Sequence, residues 1–370
     1  MAYSISDSVN DKLEPRILIA VLIVSILEFE VFTFSRGVVE IAGQDAWLSL
    51  IIGAVIVSVN TFLLVKLMSR FPGENIFHFS PKVWGKPLGL VMIVGFLLYW
   101  LVFLITLLED FSVANQTFFV REAQPIISVI LLVIGAAWAV SYGFPALVRL
   151  LQILLPFIIL PLLFIGGLAL PHIQLEQFQP MLAGGIWPVL KGAILVAGFL
   201  QGLEIILFAG PFIKNPQKAL KPALLGVNLI IFIALIQSVN AIGILGVDNI
   251  EVSVWPGIDT MSVIHFPGFP VERYELFLTL PWLVGIFSTL CVFLYLLSYG
   301  IVQTFNIQHR TVVIYLLAAV IVGGTLLFPN YAWTLQAREL LNIVTLLFIA
   351  VIPVLTLILA VIRKKEGTEN

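Results

Sequence analysis

Apolar runs of roughly 20 residues, the length that crosses the hydrocarbon core of a bilayer, recur along the whole chain with short polar gaps between them. They predict helices over residues 17–41, 47–69, 88–108, 125–141, 146–170, 188–213, 222–246, 274–300, 311–328 and 340–362, an all-α polytopic membrane protein of ten spans. The fourth run is short and the ninth barely long enough, so tilt or neighbouring helices must help to seat them. No soluble domain is left outside the runs, and residues 1–370 read as a single integral membrane permease-like unit.

Two of the runs carry carboxylates where a simple span carries none. Glu28 and Glu30 lie about halfway along the first, and Glu204 lies in the sixth beside Gly198, Gln201 and Gly202. A charge at bilayer depth costs roughly 2.5–3.5 kcal/mol on insertion scales, so such residues face a protein interior or a watery cavity and mark a pathway or a site.

The runs divide into 17–170 and 188–362, five each, joined by a polar stretch over 172–186. An odd number per half sends the second half into the membrane from the opposite side. That is the arithmetic of an inverted repeat, in which the interrupted first helix of each half meets the other at the midplane. The first and sixth runs are the matching pair. Residues 27–40, LEFEVFTFSRGVVE, are expected to unwind over Phe32–Gly37, where freed amides and carbonyls need a ligand, ion or water. In the sixth run Gly198 and Gly202 weaken the helix and leave Glu204 near the start of an inner half-helix, at its positive dipole end. The candidate ligand-binding residues are therefore Glu30, Phe32, Thr33, Phe34, Ser35, Arg36 and Gly37 with Gly198, Phe199, Gln201 and Gly202; Glu28, Glu30 and Glu204 are the candidate ion-coupling or pathway residues.

Each has a blander alternative. Glu28 and Glu30 point to different sides of a helix, so at least one serves a structural hydrogen bond. Arg36 and Glu40 form an i,i+4 pair, and Gly198 and Gly202 have the spacing of a small-residue packing face. Asn60, Asn228, Gln237 and Asn240 read as links between helices. Pro156, Pro161, Pro211, Pro281 and Pro353 read as kinks that neighbours compensate.

Composition agrees: 60% hydrophobic and 11% charged residues, with a mean hydropathy of +1.10, leave too little polar surface for a soluble domain. Basic residues set the orientation. Lys12, Arg16, Lys66, Arg70, Lys82, Lys86, Arg149, Lys214, Lys218, Lys221, Arg310, Arg363, Lys364 and Lys365 fall on one side, against Arg121, Arg273 and Arg338 on the other; Arg36 and Lys191 sit inside spans near that second side. Both termini are thus expected to be cytoplasmic. The opening MAYSISDSVNDKLEPRIL lacks the features of a signal peptide, so the first helix is expected to be retained. A net charge of −2 without a basic arm gives no reason to invoke nucleic acid. Cys291 is alone in an apolar run, and His78, His172, His265 and His309 are dispersed without metal-ligand spacing. With no phosphate-binding Gly-rich loop and no paired nucleophile and base, the reading is a non-enzyme with no cofactor.

After the first run, Ala42-Gly43-Gln44-Asp45-Ala46-Trp47-Leu48 resembles the endospore germination permeases, the B subunits of nutrient germinant receptors within the amino acid–polyamine–organocation superfamily. Arg70-Phe71-Pro72-Gly73, Trp84-Gly85-Lys86-Pro87-Leu88-Gly89, Pro188-Val189-Leu190-Lys191-Gly192-Ala193 and Val271-Glu272-Arg273-Tyr274-Glu275 add to the resemblance in order, over nearly the whole chain. Asp45 and Trp47 read as an outer-interface cap and anchor. The resemblance implies the sensing of a small nutrient, an amino acid first, in the inner membrane of a bacterial spore together with A and C subunits. One departure stands out: where the superfamily has a glycine-rich unwound turn, this chain has Phe32, Phe34 and Arg36, so either the ligand differs from a simple amino acid or Arg36 supplies the charge that exposed amides usually provide. A proton- or cation-coupled transporter and a ligand-gated ion-conducting subunit are the alternatives that share the same fold and site.

Overall fold

The structure is a computed structural model that describes residues 12–27, 30–118, 124–264, 276–328 and 330–367, without the side chains of 30–32, 118 and 276–280. Glu28 lies outside the described residues, as do the side chains of Glu30 and Phe32. The fold is almost entirely helical. In chain order the helices are α1 Ile17–Ile26, α2 Glu30–Ala42, α3 Ala46–Arg70, α4 Ile76–Trp84, α5 Lys86–Phe118, α6 Pro125–Ser141, α7 Phe144–Ala169 and α8 Ile186–Gly198. They continue as α9 Ile205–Phe208, α10 Leu220–Leu245, α11 Val247–Val252, α12 Pro256–Ser262, α13 Leu276–Phe305, α14 Arg310–Thr325, α15 Tyr331–Leu346 and α16 Ile352–Ile362. Six continuous helical stretches are long and apolar enough to cross a membrane: Thr33–Arg70, Lys86–Thr117, Phe144–His172, Pro216–Leu245, Pro281–Phe305 and Tyr331–Ile362. Ile17–Ile26, Pro125–Ser141, Ile186–Gly198 and Arg310–Thr325 are shorter apolar helices.

Sequence explains where the centre lies. α1 is apolar all round, and all but Ile19 of its residues are buried, as expected of a helix enclosed by others rather than facing lipid on one side. It packs against α7, α10 and α13. α3 and α8 approach closely because the contact is built from small residues: a Cβ on Gly192 would lie 2.5 Å from Ser49 Oγ, and one on Gly53 2.8 Å from Val196. Ser49 Oγ donates to Val189 O at 2.9 Å across the same contact.

The asparagines and Gln237 link helices. Asn60 Nδ2 donates to Ile349 O at 3.0 Å, within the π turn Leu347–Val351 that joins α15 to α16 and leaves carbonyls looking for donors. Asn240 Nδ2 reaches Gly166 O at 3.0 Å and Gln237 Nε2 reaches Leu162 O at 3.4 Å, tying α10 to α7.

Two helices extend past the boundaries expected, and one expected cap is absent. α5 runs to Phe118 rather than ending at 108, which places Glu109 and Asp110 inside a helix. The last span begins at Tyr331 rather than 340, so Arg338 is helical and not in a loop. Both extensions hold because the polar side chains pair with each other across the helices: Arg338 and Asp110 form an ion pair, and Asp110 is fully buried. Asp45 does not cap α3; a 3-10 turn over Gly43–Asp45 runs straight into that helix and already engages its first amide. The Asp45 carboxylate instead accepts from Leu182 N at 2.9 Å and fastens the connector between α7 and α8.

The first and last of the described segments, at Leu13 and at Glu366 and Gly367, meet one face. Leu13 N donates to Phe212 O and Lys214 N to Leu13 O, each at 2.8 Å. At the other terminus, Arg70 pairs with Glu366 at 2.9 Å and Gly367 N bonds to Arg70 O. On the same face α4 starts at Asn75, whose side chain accepts from Phe77 N at 3.1 Å and also contacts His78 Nδ1 at 2.8 Å. His78 Nε2 lies 2.5 Å from Gln303 Nε2 of α13. The neutral ring satisfies both contacts, Nδ1–H donating to Asn75 and Nε2 accepting from Gln303. Burial holds this imidazole below its ordinary value of 6.5; Lys82 adds to the depression, and Glu74 opposes both.

A group whose folded pKa is depressed stabilises the fold fully above its unfolded value and loses that contribution as pH falls below it. Thermal stability in detergent is expected to decline as pH drops from 6.5, and to decline less in His78→Gln. Parallel melting curves for the two proteins between neutral and mildly acid pH would show that His78 contributes nothing to that decline.

Candidate functional site

Two interruptions meet in the middle of the molecule. The first follows α1: Leu27 leaves helical geometry with ψ 65°, and α2 resumes at Glu30. The break therefore lies upstream of the Phe32–Gly37 stretch where unwinding is expected. Thr33, Phe34, Ser35, Arg36 and Gly37 are helical, because their bulky apolar members pack inward as one face of α2: Phe34 and Val38 are buried. The second interruption follows α8. Residues 199–204 form successive turns before the short α9, with Gly202 at φ +110°, a conformation that side chains with a Cβ rarely adopt.

Backbone groups freed at both breaks find protein partners, as a lipid environment demands. Thr289 Oγ1 of α13 donates to the Val24 and Ser25 carbonyls at 3.3 and 3.2 Å. Glu204, which directly precedes α9 and is 1% exposed, accepts from Gly202 N and from Trp100 Nε1 of α5, each at 2.9 Å. Its carboxylate thus closes the second break and fixes the break to α5. Gly202 is also where the breaks touch: a Cβ there would sit 3.0 Å from Ile26 Cγ1 and 3.5 Å from Ser25 O.

Beside this junction lies an apolar cavity of about 30 Å³, lined by Ile26 and Leu27 at the first break, Phe34, Leu50, and Val196, Phe199 and Leu200 at the second, with Ile230, Ile231 and Ala234 of α10. Such a volume holds about one or two waters. Phe34 and Phe199 form its aromatic wall, with centroids 4.9 Å apart at 73°. Gly37 lets Phe199 come close, since a Cβ at 37 would lie 2.7 Å from its ring. Of the sequence-derived candidates, Phe34 and Phe199 line the cavity, Gly37 and Gly202 shape it, and Glu204 braces it.

Others lie elsewhere. Arg36 Nε pairs with Glu40 at 2.8 Å and its Nη1 reaches Ser253 O at 3.4 Å; the side chain is 34% exposed and is not among the residues lining the cavity. The i,i+4 reading of this pair therefore describes the structure, and the guanidinium is not aimed at the junction. Thr33 is half-buried and Ser35 buried. Gly198 backs onto α15, its Cα direction facing Asn342 O. Gln201 Nε2 donates to Asn342 Oδ1 at 3.1 Å, while its Oε1 is buried without a hydrogen-bond partner among the described residues.

Sequence reading missed the layer on the far side from the termini. Asp110 pairs with Arg338 and takes a hydrogen bond from Tyr331, and Tyr331 stacks near Trp255 with centroids 5.9 Å apart. The available signal was spacing: Phe103, Leu107, Asp110, Phe111 and Ala114 continue one buried helical stripe past residue 108. On the opposite side, Phe208, Phe212, Tyr295 and Tyr299 cluster below the second break, with the Arg310 guanidinium 4.1 Å over the Tyr295 ring.

A helical membrane protein with its centre built on two interrupted helices has the architecture of secondary transporters, and solved structures agree. The chain superimposes on MHP1, a nucleobase-cation-symport-1 family transporter solved closed with bromovinylhydantoin bound, with a TM-score of 0.68 and 15% identity over 94% of this chain and 78% of that one. MhsT in complex with L-phenylalanine gives 0.62 and 15%, over 94% and 97%. Residues 12–330 match the spore germination protein family, and the chain belongs to it. Among its relatives, spore germination protein YndE of Bacillus subtilis (strain 168) is 28% identical over 282 residues, 75% of this chain and 76% of that protein. Spore germination protein KB of the same organism is 25% identical over 372 residues, 96% and 97% of the two chains.

Replacing Glu204 by Leu strands two buried donors, Trp100 Nε1 and Gly202 N, at about 1–3 kcal/mol each. Glu204→Gln keeps one acceptor and is expected to lose about half as much stability. Thermal unfolding of the purified variants in detergent measures both; equal losses would mean that the carboxylate's hydrogen bonds do not hold the break.

Proposed function

We propose that the chain is the membrane subunit of a nutrient germinant receptor, which senses a small molecule at the junction of its two broken helices and triggers spore germination. The observation that carries this reading is the meeting of the breaks at Gly202 and Ile26 beside a small apolar cavity, in a member of the spore germination protein family. The ligand is an amino acid whose apolar side chain enters between Phe34 and Phe199. It is bound by the 30–37 and 198–202 segments; Gln201, whose Oε1 has no partner among the described residues and lies outside the cavity lining, becomes an acceptor for its ammonium group when the two rings turn. Because the cavity has room for only about one or two waters, binding must rotate Phe34 and Phe199, and that movement is the signal.

In this reading the six long and four shorter apolar helices make ten spans as a 5+5 inverted repeat, 17–170 and 188–362, in one permease-like domain. The termini are cytoplasmic, in agreement with the basic residues on their face, and the protein acts in the spore inner membrane with A and C subunits. A second reading, coupled transport or ligand-gated ion conduction with Glu28, Glu30 and Glu204 on the pathway, draws support from the buried Glu204 carboxylate and the transporter fold.

Spores deleted for the gene, scored for germination on a nutrient panel, test the receptor reading. Loss of response to one amino acid, restored by the intact chain, is expected. Phe199→Ala should enlarge the cavity and shift the nutrient concentration for half-maximal response by roughly tenfold, about 1.4 kcal/mol. A normal response of the deletion strain to every nutrient would overturn the reading, and accumulation of labelled amino acid by vesicles carrying this chain alone would favour the second.

A further inference from the structure

On the outward side of α3 and α10 a shallow open crevice runs toward the face where Leu13 and Glu366 lie. Its two lobes, about 710 and 370 Å³, share Leu224 and Asn228. The walls are hydrocarbon: Val55, Val59 and Phe62 of α3 and Leu225 of α10 are all exposed. The polar groups in it close on each other, Asn228 Nδ2 donating to Ser58 Oγ at 3.1 Å and to Leu224 O at 2.9 Å. The floor therefore presents an acyl chain with no donor in want of a partner.

Charge marks the other end. Lys218 and Lys221 line the wider lobe. Lys66, one turn beyond Phe62 on α3, lies with its ammonium 5.8 Å from the Phe62 centroid. These three lysines are exposed, and none has an ion pair among the described residues, whereas neighbouring Lys82 and Lys214 are paired with Glu74 and Glu14. Lys221 is seven residues from Asn228, roughly 10 Å along the helix, so cations sit above a hydrocarbon slot at the spacing of a phospholipid headgroup over its chains.

We propose that this crevice is a binding site for an anionic phospholipid, its phosphate held by Lys66, Lys218 and Lys221 and one acyl chain laid between α3 and α10. Charge complementarity selects the occupant: a partner helix would fill the apolar slot but has no need of three uncompensated cations at its mouth, and a free anion would have no use for the slot. The site stands back to back with the central cavity, because α3 and α10 also supply Leu50, Ile230 and Ile231 to that cavity. Lipid occupancy would thus set the separation of two of the cavity's walls. The inference rests on the chain being embedded in a membrane and is independent of which nutrient, if any, the cavity takes.

The test is lipid retention by the purified full-length protein, delipidated in detergent, offered an equimolar mixture of phosphatidylglycerol and phosphatidylcholine, and read by native mass spectrometry. Phosphatidylglycerol is expected to be retained about tenfold over phosphatidylcholine, given the attraction of each lysine near a headgroup. The triple variant Lys66→Gln, Lys218→Gln, Lys221→Gln should bring the two lipids to parity without changing the melting temperature. Val59→Trp, which fills the slot and keeps the lysines, should reduce retention of phosphatidylglycerol while leaving α3 and α10 folded. Equal retention of both lipids by the unaltered protein, or an undiminished preference in the triple variant, would overturn the proposal. So would displacement of the lipid by millimolar inorganic phosphate with Val59→Trp silent, which would mark a bare anion site.

Discussion

Every interrupted helix in a bilayer raises one requirement: the backbone groups released at the break must be bonded within the protein, since lipid offers nothing. Here the requirement is met by two side chains from different helices. Thr289 of α13 serves the carbonyls at the end of α1, and Glu204 serves its own break while reaching Trp100 of α5. A carboxylate is well suited to the second task because its two oxygens accept two donors in different directions, whereas a hydroxyl or amide oxygen would leave one less well served. The same pair of bonds makes the breaks rigid neighbours of α5 and α13, so the cavity is framed by fixed elements.

The cavity wall is also joined to the face where Leu13 packs. Phe199 opens the second break and packs on Phe34; α9 follows Glu204, then Phe212 and Lys214 pair with Leu13. Roughly ten residues of chain therefore connect the cavity wall to the aromatic cluster of Phe208, Phe212, Tyr295 and Tyr299 and then to the segment before α1. On the far side the Asp110–Arg338 pair with Tyr331 joins α5 to α15. Breaking a buried pair by removing one partner is costly, so this pair holds the two helices together.

Much of this was legible in the sequence, and the failures share a cause. Apolar runs and misplaced carboxylates pointed to the two interrupted helices, and Gly202 and Glu204 were visible because a glycine and a charge have no ordinary place in a span. The position of the first break was not visible: Thr33, Ser35 and Arg36 suggested unwinding, yet polar residues on a helix need only a side to face, and Arg36 has Glu40 one turn away. Asp110 and Arg338 escaped because hydropathy ends a span where charges begin, while a charge pair 228 positions apart in sequence satisfies itself inside the bundle and extends both helices. Hydropathy reads one residue's cost; it cannot read a partner on another helix.

The shift of the first break also resolves the tension posed by bulky residues in a segment where related folds are expected to be glycine-rich. Since the chain leaves helical geometry at Leu27, Phe34 is no obstruction to an unwound turn. It is a wall residue of a regular helix, and with Phe199 it gives the cavity an aromatic face. Gly37, the one glycine nearby, is used for packing against Phe199 rather than for backbone freedom. Two rings and the surrounding aliphatic side chains make the lining apolar throughout, which suits an apolar group and leaves a charge without a partner there. Among the polar groups near the junction, Gln201 Oε1 lies in the second break and has no hydrogen-bond partner among the described residues, but it stands outside the cavity lining.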